Sequence, residues 1–418
     1  MQLDRRSAEG RPDGVIPGVR RIRSMGVEEE LLLVDPDSLH PVPVASELLD
    51  EASAVMRNSR AVLEFEVKRE QIEVVSSPQF TLDELAATII EGRRSADRAA
   101  RRVGARAVAL ATATVRCEPH AVPAARYDRM RERFGLTLDE QLTCGFHIHV
   151  GIESVDEGVA VLDRIRPWLP VLLAMSANSP FWQGEDTHFA SYRYQAWGRW
   201  PTAGPYDRFG SADGYAAAVQ AILDTEVSLD AGMIYFDARL SAHAPTVEIR
   251  IADVCLRAED AAAIAVLVRA LVETAAVQWR AASEVDDIPT SILRLASWRA
   301  SRFGLSENLM HPITRQQCPA GVAVTALLEF VDAAFASPME RAQIRSGVAR
   351  MLKRGTGASE QRAAVSASGD SRDVVAAAVA ITVADPATDA PPTHDAFSAG
   401  QPAGAIVLRV AGPPGEDQ

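Results

Sequence analysis

Lysine is nearly missing from this chain. Of the 43 basic side chains in 418 residues, all but Lys68 and Lys353 are arginine. A mechanism that needs a lysine amine therefore has almost no candidates, and a lysine-based phosphate clamp would have to use Lys68. Cysteine is scarce as well. Cys117, Cys144, Cys255 and Cys318 are widely spaced and form neither a CxxC pair nor a zinc-finger spacing, which points to a reduced, cytoplasmic setting. Positive charge is in deficit: the net charge of −13 argues against a general nucleic-acid or anionic-membrane binder. No uncharged apolar run reaches the about 20 residues that span a bilayer, and the N-terminus has no apolar core of a secretory signal. The common nucleotide loops are missing too, with no G-x-x-x-x-G-K-[ST] and no Rossmann glycine run.

What is present describes a globular protein, with 47% hydrophobic and 24% charged residues. The length would allow two or three domains, or one broad sheet-based domain. Residues 1–22, rich in Arg, Gly, Pro and Asp, are expected to be a disordered tail. Residues 23–354 are expected to be the ordered domain. Residues 355–418, rich in Ala, Ser, Gly and Pro, are expected to be mostly disordered, with at most a helix near Val374 and a strand at 405–410.

The chain is organised around Leu142-Thr143-Cys144-Gly145-Phe146-His147-Ile148-His149-Val150-Gly151, which alternates strictly. Cys144, Phe146, Ile148 and Val150 fall on one side, and Gly145, His147, His149 and Gly151 on the other, the signature of a half-buried strand. A single imidazole on such a face is most simply a satisfied polar side chain. Two, with small residues beside them, suggest a metal or proton-transfer site. Three other strand-like segments carry polar faces. Ser24 to Val34 places Glu28 and Glu30 on one side and Glu29 on the other. Leu63 to Ser76 carries Glu66 and Glu73, which are seven apart and share a face only if the chain bends or bulges between them. Pro245 to Asp253 places Thr246, Glu248 and Arg250 opposite Val247, Ile249 and Ile251. An aromatic, arginine-rich loop, His188 to Pro205 with Arg193, reads equally well as a packed loop or as a pocket lining. Helices are expected at 46–57, from a capping box at Thr81-Leu82-Asp83-Glu84 to about Gly104, at 123–139, 155–177, 215–226, 258–283, 298–304 and 320–353. Strands are expected at 105–114 and 233–240.

If those polar faces lie in one antiparallel sheet, a single wall carries several carboxylates and two imidazoles. Two carboxylates about 4 Å apart repel by roughly 1 kcal/mol in water and about 4 at an intermediate dielectric, so a cluster of four requires cations. Oxygen-rich ligation with few nitrogens suits Mg²⁺ or Mn²⁺ better than zinc. Acid-lined magnesium sites handle phosphates, with arginines such as Arg250 and Arg193 balancing the transferring group.

Gly26-Val27-Glu28-Glu29-Glu30, Gln71-Ile72-Glu73, Cys144 to Gly151, Pro245 to Arg250 with Asp253, Ser191-Tyr192-Arg193 with Trp197, Pro201 and Gly204, and Trp298-Arg299-Ala300 with Arg302-Phe303-Gly304 together resemble the type-2 glutamate–cysteine ligases. More narrowly, they resemble the YbdK-type carboxylate–amine ligases. The resemblance runs from about residue 23 to about 354. It implies an α+β, glutamine synthetase-like fold, a curved antiparallel β-sheet surrounded by helices. It also implies ATP-dependent joining of an amino-acid carboxylate to an amine through an acyl phosphate, with a glutamate–cysteine ligase activity that is feeble in this subfamily. Matched residue by residue, Glu28, Glu30, Glu66, Glu73, His147, His149 and Glu248 would hold Mg²⁺, or Mn²⁺. Arg250 and Glu73 would serve catalysis, and Arg193, Arg250, His147 and Lys68 would bind nucleotide or substrate. A cytoplasmic homodimer acting on small molecules is the corresponding expectation. Two other readings stand beside it: a zinc-dependent, amidohydrolase-like enzyme using the His-x-His pair, and a non-catalytic metal- or nucleotide-binding protein.

Overall fold

Strict alternation in four segments becomes four neighbouring strands of one sheet. The computed structural model describes residues 22–55 and 60–384. The expected N-terminal tail, apart from Ile22, and the expected strand at 405–410 lie outside the described residues. The sheet is built from β1 (Met25–Val34), β2 (Ala61–Phe65), β3 (Gln71–Ser76), β4 (Arg106–Val108), β5 (Gly145–Gly151), β6 (Ala238–Leu240) and β7 (Thr246–Asp253). Its order is β2-β3-β1-β5-β7-β6, with β4 pairing to the far end of β1, and every pairing is antiparallel.

The two faces of the sheet differ as the period-2 pattern requires. Val27, Phe146, Ile148, Val150, Val247, Ile249 and Ile251 pack with the helices Val155–Ile165, Leu169–Ser176 and Ala258–Arg280 in one buried core. The last of these helices is apolar nearly all round, and most of its residues from Ala258 to Ala276 are buried, as expected of a helix with neighbours on several sides. A second core joins Leu31, Leu33, Ile72 and Val74 to the helices Ala45–Val55 and Leu82–Arg102. The latter helix begins where the sequence says it should. Thr81 accepts from the Glu84 backbone N–H at 3.2 Å, and the Glu84 side chain accepts from the Thr81 N–H, closing the capping box. Glu29 does point away from Glu28 and Glu30. It is buried on the helix side, where both its oxygens pair with Arg93 at 2.6 and 2.9 Å.

Three expectations need correction. Residues 105–114 were expected to form one strand, but only Arg106–Val108 does so; the chain turns there, with Leu110 N–H donating to the Val108 carbonyl at 3.1 Å, and Thr112 makes only an isolated bridge to Thr143. Residues 233–240 yield only the three-residue β6, preceded by a short 3₁₀ turn at Ala231–Met233. The largest difference lies past 354. Residues Gly357–Ser368 and Ser371–Val383 are helices, and Val374, Val375, Ala378 and Val379 of the second are buried in the core of the β1 end. That i, i+1, i+4, i+5 spacing is a helical stripe, which the alanine- and serine-rich composition masks. The two helices also bond to the body of the fold: Ala109 N–H donates to Thr382 Oγ1 at 2.9 Å, and Gln361 Nε2 donates to the Asn178 carbonyl at 2.8 Å.

Candidate active site

Register decides what the polar face can do. On β1, Glu28 stands opposite His147 of β5, and Glu30 opposite Glu73 of β3. On β7, Glu248 stands opposite His149. Four strands therefore place Glu28, Glu30, Glu73, His147, His149 and Glu248 on one wall. Glu66 joins it by a route the sequence does not show. It follows β2 directly, and a tight turn, not a bulge within one strand, separates it from β3. That hairpin dissolves the parity problem: Glu66 lies beside Glu30 and Glu28, with its own Oε2 accepting from the Val67 N–H at 2.7 Å.

The contacts divide the wall into two donor groups that share one imidazole. Glu28, His147 and Glu248 each offer an atom within 4.8 Å of the others, as do Glu30, Glu73 and His147. His147 is buried, with Nδ1 3.0 Å from Glu28 Oε2 and Nε2 3.8 Å from Glu30 Oε1. His149 is held by Thr246, its Nδ1 3.0 Å from Oγ1, while its buried Nε2 lies 3.1 Å from Glu28 Oε1 without a hydrogen-bond partner.

Electrostatics shows what this wall lacks. Burial and the Glu30 carboxylate push Glu66 up to about 8. Burial, then Glu66, Glu28 and Glu30, push Glu73 well above the usual carboxylate range. Burial alone would also raise Glu28, but its contacts with His147 and His149 hold it far below that range. Burial and the Arg250 charge lower His147, keeping it neutral and able to ligate. Crowded acids that cannot all ionise and a neutral imidazole between them fit divalent cations. Each group has two carboxylates to one nitrogen, the donor balance that favours Mg²⁺ or Mn²⁺ over zinc.

Two arginines border the acids. Arg250 sits where β7 bulges. Phe146 pairs with Ala252 but Ile148 with Ile249, leaving an extra residue on β7, and the Arg250 N–H turns to the Asp237 carbonyl at 2.9 Å. Its guanidinium bonds Glu248 and lies 6.0 Å from the Tyr235 ring, and its buried Nε has no partner. Arg193 comes from the helix Tyr192–Trp197 in the aromatic loop, where Trp197 packs edge-on against Tyr235 and lies beside Trp200. Its N–H donates to Ser179 Oγ at 3.0 Å, and its Cζ lies 5.8 Å from the Trp197 ring. The buried Asp253 carboxylate, 4.0 Å from its Nη1, accepts from Asn178 N–H, Ser179 Oγ and Ser191 Oγ at 2.7–2.8 Å. Arg193 Nε is buried and unpartnered too. Its room comes from Gly145, where an added Cβ would stand 2.3 Å from Nη2.

Lys68 does not join this set. Its Nζ is buried and donates to the Asp139 carbonyl at 3.2 Å, and its charged neighbours are Glu70, Asp139 and Arg131, none of them on the wall. Burial lowers it to about 8, and its position in the β2–β3 turn makes it a tie between two loops. Sequence reasoning also missed a residue. Arg239 on β6 stands opposite Glu248 and grips both its oxygens. The pairing of two short strands across residues 241–245 was the signal that could have found it.

A model of the glutamate-cysteine ligase family 2 matches residues 24–378, past the expected boundary at 354. A relative from Paenarthrobacter aurescens (strain TC1), carrying the provisional name glutamate–cysteine ligase 2-1, is 54% identical over 368 residues, 86% of this chain and 95% of that protein. One from Streptomyces coelicolor, provisionally named glutamate–cysteine ligase 2, is 46% identical over 364 residues, 87% of this chain and all of that protein. Among solved structures, glutamate–cysteine ligase from Francisella tularensis in complex with AMP aligns with a TM-score of 0.59 at 12% identity, covering 91% of this chain and 92% of that one. A bifunctional glutathione synthetase from Pasteurella multocida aligns at 0.57 and 14% identity, covering 86% of this chain and 51% of that one. At such identities the two structures speak for the fold alone.

Proposed function

This chain belongs to glutamate–cysteine ligase family 2, and from that premise we propose that it is an ATP-dependent carboxylate–amine ligase whose centre is the acidic wall of β1, β3, β5 and β7. The observation that carries the reading is the convergence of Glu28, Glu30, Glu66, Glu73, His147 and Glu248 with two arginines whose buried Nε atoms lack partners. Mg²⁺ held by the two donor groups would neutralise the polyphosphate and favour transfer of its terminal phosphoryl group.

In the proposed reaction a substrate carboxylate oxygen attacks the γ-phosphorus and the bond to the β–γ bridging oxygen breaks, giving an acyl phosphate and ADP. The amine nitrogen then attacks the acyl carbon, phosphate leaves, and the nitrogen loses a proton. The chain's own residues bind and orient. Arg250, beside the wall and with a free Nε–H, faces the transferring group, where charge spreads over the equatorial oxygens. Arg193, with its cation set by Asp253 and Trp197, takes a substrate carboxylate or a phosphate oxygen. Neutral His147 serves both cation groups, with His149 bracing Glu28 beside it. Lys68 has no part.

Glutamate and cysteine, joined weakly into a γ-glutamyl amide, are the substrates the family name suggests. A cytoplasmic setting, which four free cysteines suit, and a homodimer, which the family resemblance implies, complete the proposal; among the described residues no helix is long and apolar enough to cross a membrane. The test is a phosphate-release screen with ATP and Mg²⁺ across pairs of acids and amines, beside Glu73→Gln. Release should need both an acid and an amine and vanish in the variant. Release untouched by Glu73→Gln would remove the wall from the reaction.

A further inference from the structure

Both oxygens of Glu248 are already held by arginines. Arg239 stands directly across the β6–β7 ladder and holds it as a fork, Nε 2.8 Å from Oε2 and Nη2 3.2 Å from Oε1. Arg250 bonds Oε1 as well. The fork is anchored from behind: Arg239 Nη1 donates to the Ile234 carbonyl at 2.9 Å and the Gly232 carbonyl at 3.3 Å. Glu248 is 2% exposed, so water offers its oxygens little in exchange. Yet the same carboxylate belongs to the Glu28–His147–Glu248 group. A two-point guanidinium contact uses the in-plane lone pairs through which a carboxylate best binds a cation. A divalent ion arriving there must share Glu248 with two positive charges.

We infer that Arg239 is a positioning residue that acts as the resident cation of Glu248, keeping the carboxylate oriented while holding off a free divalent ion. The Glu28–His147–Glu248 group then accepts a cation well only when phosphates arrive with it. A bare dication meets two guanidinium charges at its ligand. A dication carrying phosphates brings anionic oxygens that offset those two charges, and Arg250, with its unpartnered Nε, has a donor ready. Cation and nucleotide therefore favour each other by one and the same factor, since coupling between binding sites is reciprocal. The nucleotide half of this inference rests on the ligase reading above; the exclusion of a free cation does not. A purely structural ion pair, there only to keep a buried acid matched, predicts the opposite sign. Deleting Arg239 would then leave a disordered carboxylate and a weaker cation site.

The experiment is a Mn²⁺ titration of the full chain, with free Mn²⁺ read by electron paramagnetic resonance. It is run with and without a non-hydrolysable ATP analogue on the native protein, Arg239→Met, Arg239→Lys and Glu248→Gln. The binding step lost in Glu248→Gln marks this group. Without the analogue, Arg239→Met should tighten that step about tenfold, from removal of one adjacent positive charge. Arg239→Lys, which keeps the charge but not the fork, should tighten it less. The gain produced by the analogue should shrink in both. An unchanged or weaker step in folded Arg239→Met overturns the inference. If that variant does not fold by circular dichroism, the lysine variant decides by the same sign. If Glu248→Gln loses no step with or without the analogue, the cation cradle itself fails and takes the proposed function with it, a result distinct from failure at Arg239.

Discussion

A single methyl group at position 145 should separate the role of Arg193 from general packing. Alanine there would put its Cβ 2.3 Å from Arg193 Nη2, 3.1 Å from Cζ and 3.1 Å from His147 Nε2. Ordinary contact begins at 3.4 Å, so the guanidinium must retreat by roughly 1 Å, a misplacement that can cost about 10²-fold in a positioned group. It has little room to do so. Arg193 is 2% exposed, its backbone is tied to Ser179, and Trp197 and Asp253 flank its head group. Overpacking of this kind costs about 1–3 kcal/mol of stability. Gly26→Ala is the internal control. It lies on the neighbouring strand opposite His149, and its Cβ would meet Ser76 at 3.7 and 3.8 Å, ordinary contact. Urea unfolding and steady-state phosphate release on both variants make the assay. Gly145→Ala should lose about 1–3 kcal/mol and about 10- to 100-fold in kcat/KM, most of it in KM for the substrate that Arg193 holds. Gly26→Ala should stay within about 0.5 kcal/mol of the native protein. A Gly145→Ala enzyme of native stability and native KM would refute the placement of Arg193 in the binding site.

Glu73→Gln should be more stable than the native chain in EDTA at pH 8. A carboxyl whose folded pKa is raised weakens the fold as pH rises through that value, and the amide carries no such charge. Equal denaturation midpoints across pH 5–8 would count against the crowded-acid account. Asp237, buried against Tyr194 Oη at 3.2 Å and raised by burial to about 7, follows the same sign away from the acidic wall's two donor groups. Stability tied to its neutral form is complete below the unfolded pKa of 3.8 and falls as pH climbs toward 7. Asp237→Asn should therefore gain on the native protein between pH 5 and 8, with a ceiling of about 4 kcal/mol, read by thermal unfolding in EDTA. Truncation after Arg354 should unfold or severely destabilise the chain, because Val374, Val375, Ala378 and Val379 leave a core. It also strips Gln361 from Asn178, whose N–H supports Asp253 behind Arg193. A truncated protein with native midpoint and activity would return the boundary to 354.

The faces of individual strands were legible because side-chain period is a local property. His147 with His149, Glu28 with Glu30, and Glu29 on the far side follow from alternation alone, and all three hold. The chain between Glu66 and Glu73 was legible only in part. Counting parity assumes a continuous strand, and nothing in Val67-Lys68-Arg69-Glu70 announces a turn in the usual glycine or proline vocabulary. The turn is held instead by tertiary contacts: Lys68 reaches Asp139, Arg69 N–H donates to the His120 carbonyl, and the Glu70 carboxylate accepts from the His120 N–H at 3.0 Å. The same cause explains Lys68 itself. Scarcity made it conspicuous, but scarcity says nothing of direction, and its ammonium is spent on a loop carbonyl.

Register is the step that local pattern cannot supply, and here it does most of the chemistry. Sliding β5 by one residue against β1 would send His147 and His149 to the helix side and Phe146 to the wall. The packing of Phe146, Ile148 and Val150 against the buried helices forbids that slip, so the hydrophobic face fixes which imidazole meets which carboxylate. A bulge on β7 then spends one extra residue to bring Glu248 opposite His149 while Arg250 leaves the ladder. The ladder between β6 and β7 sets Arg239 on Glu248. The apolar residues thus choose the polar partners: a core mutation that shifted β7 by one place would exchange Glu248 for Val247 at the wall and unmake a cation group without touching a ligand.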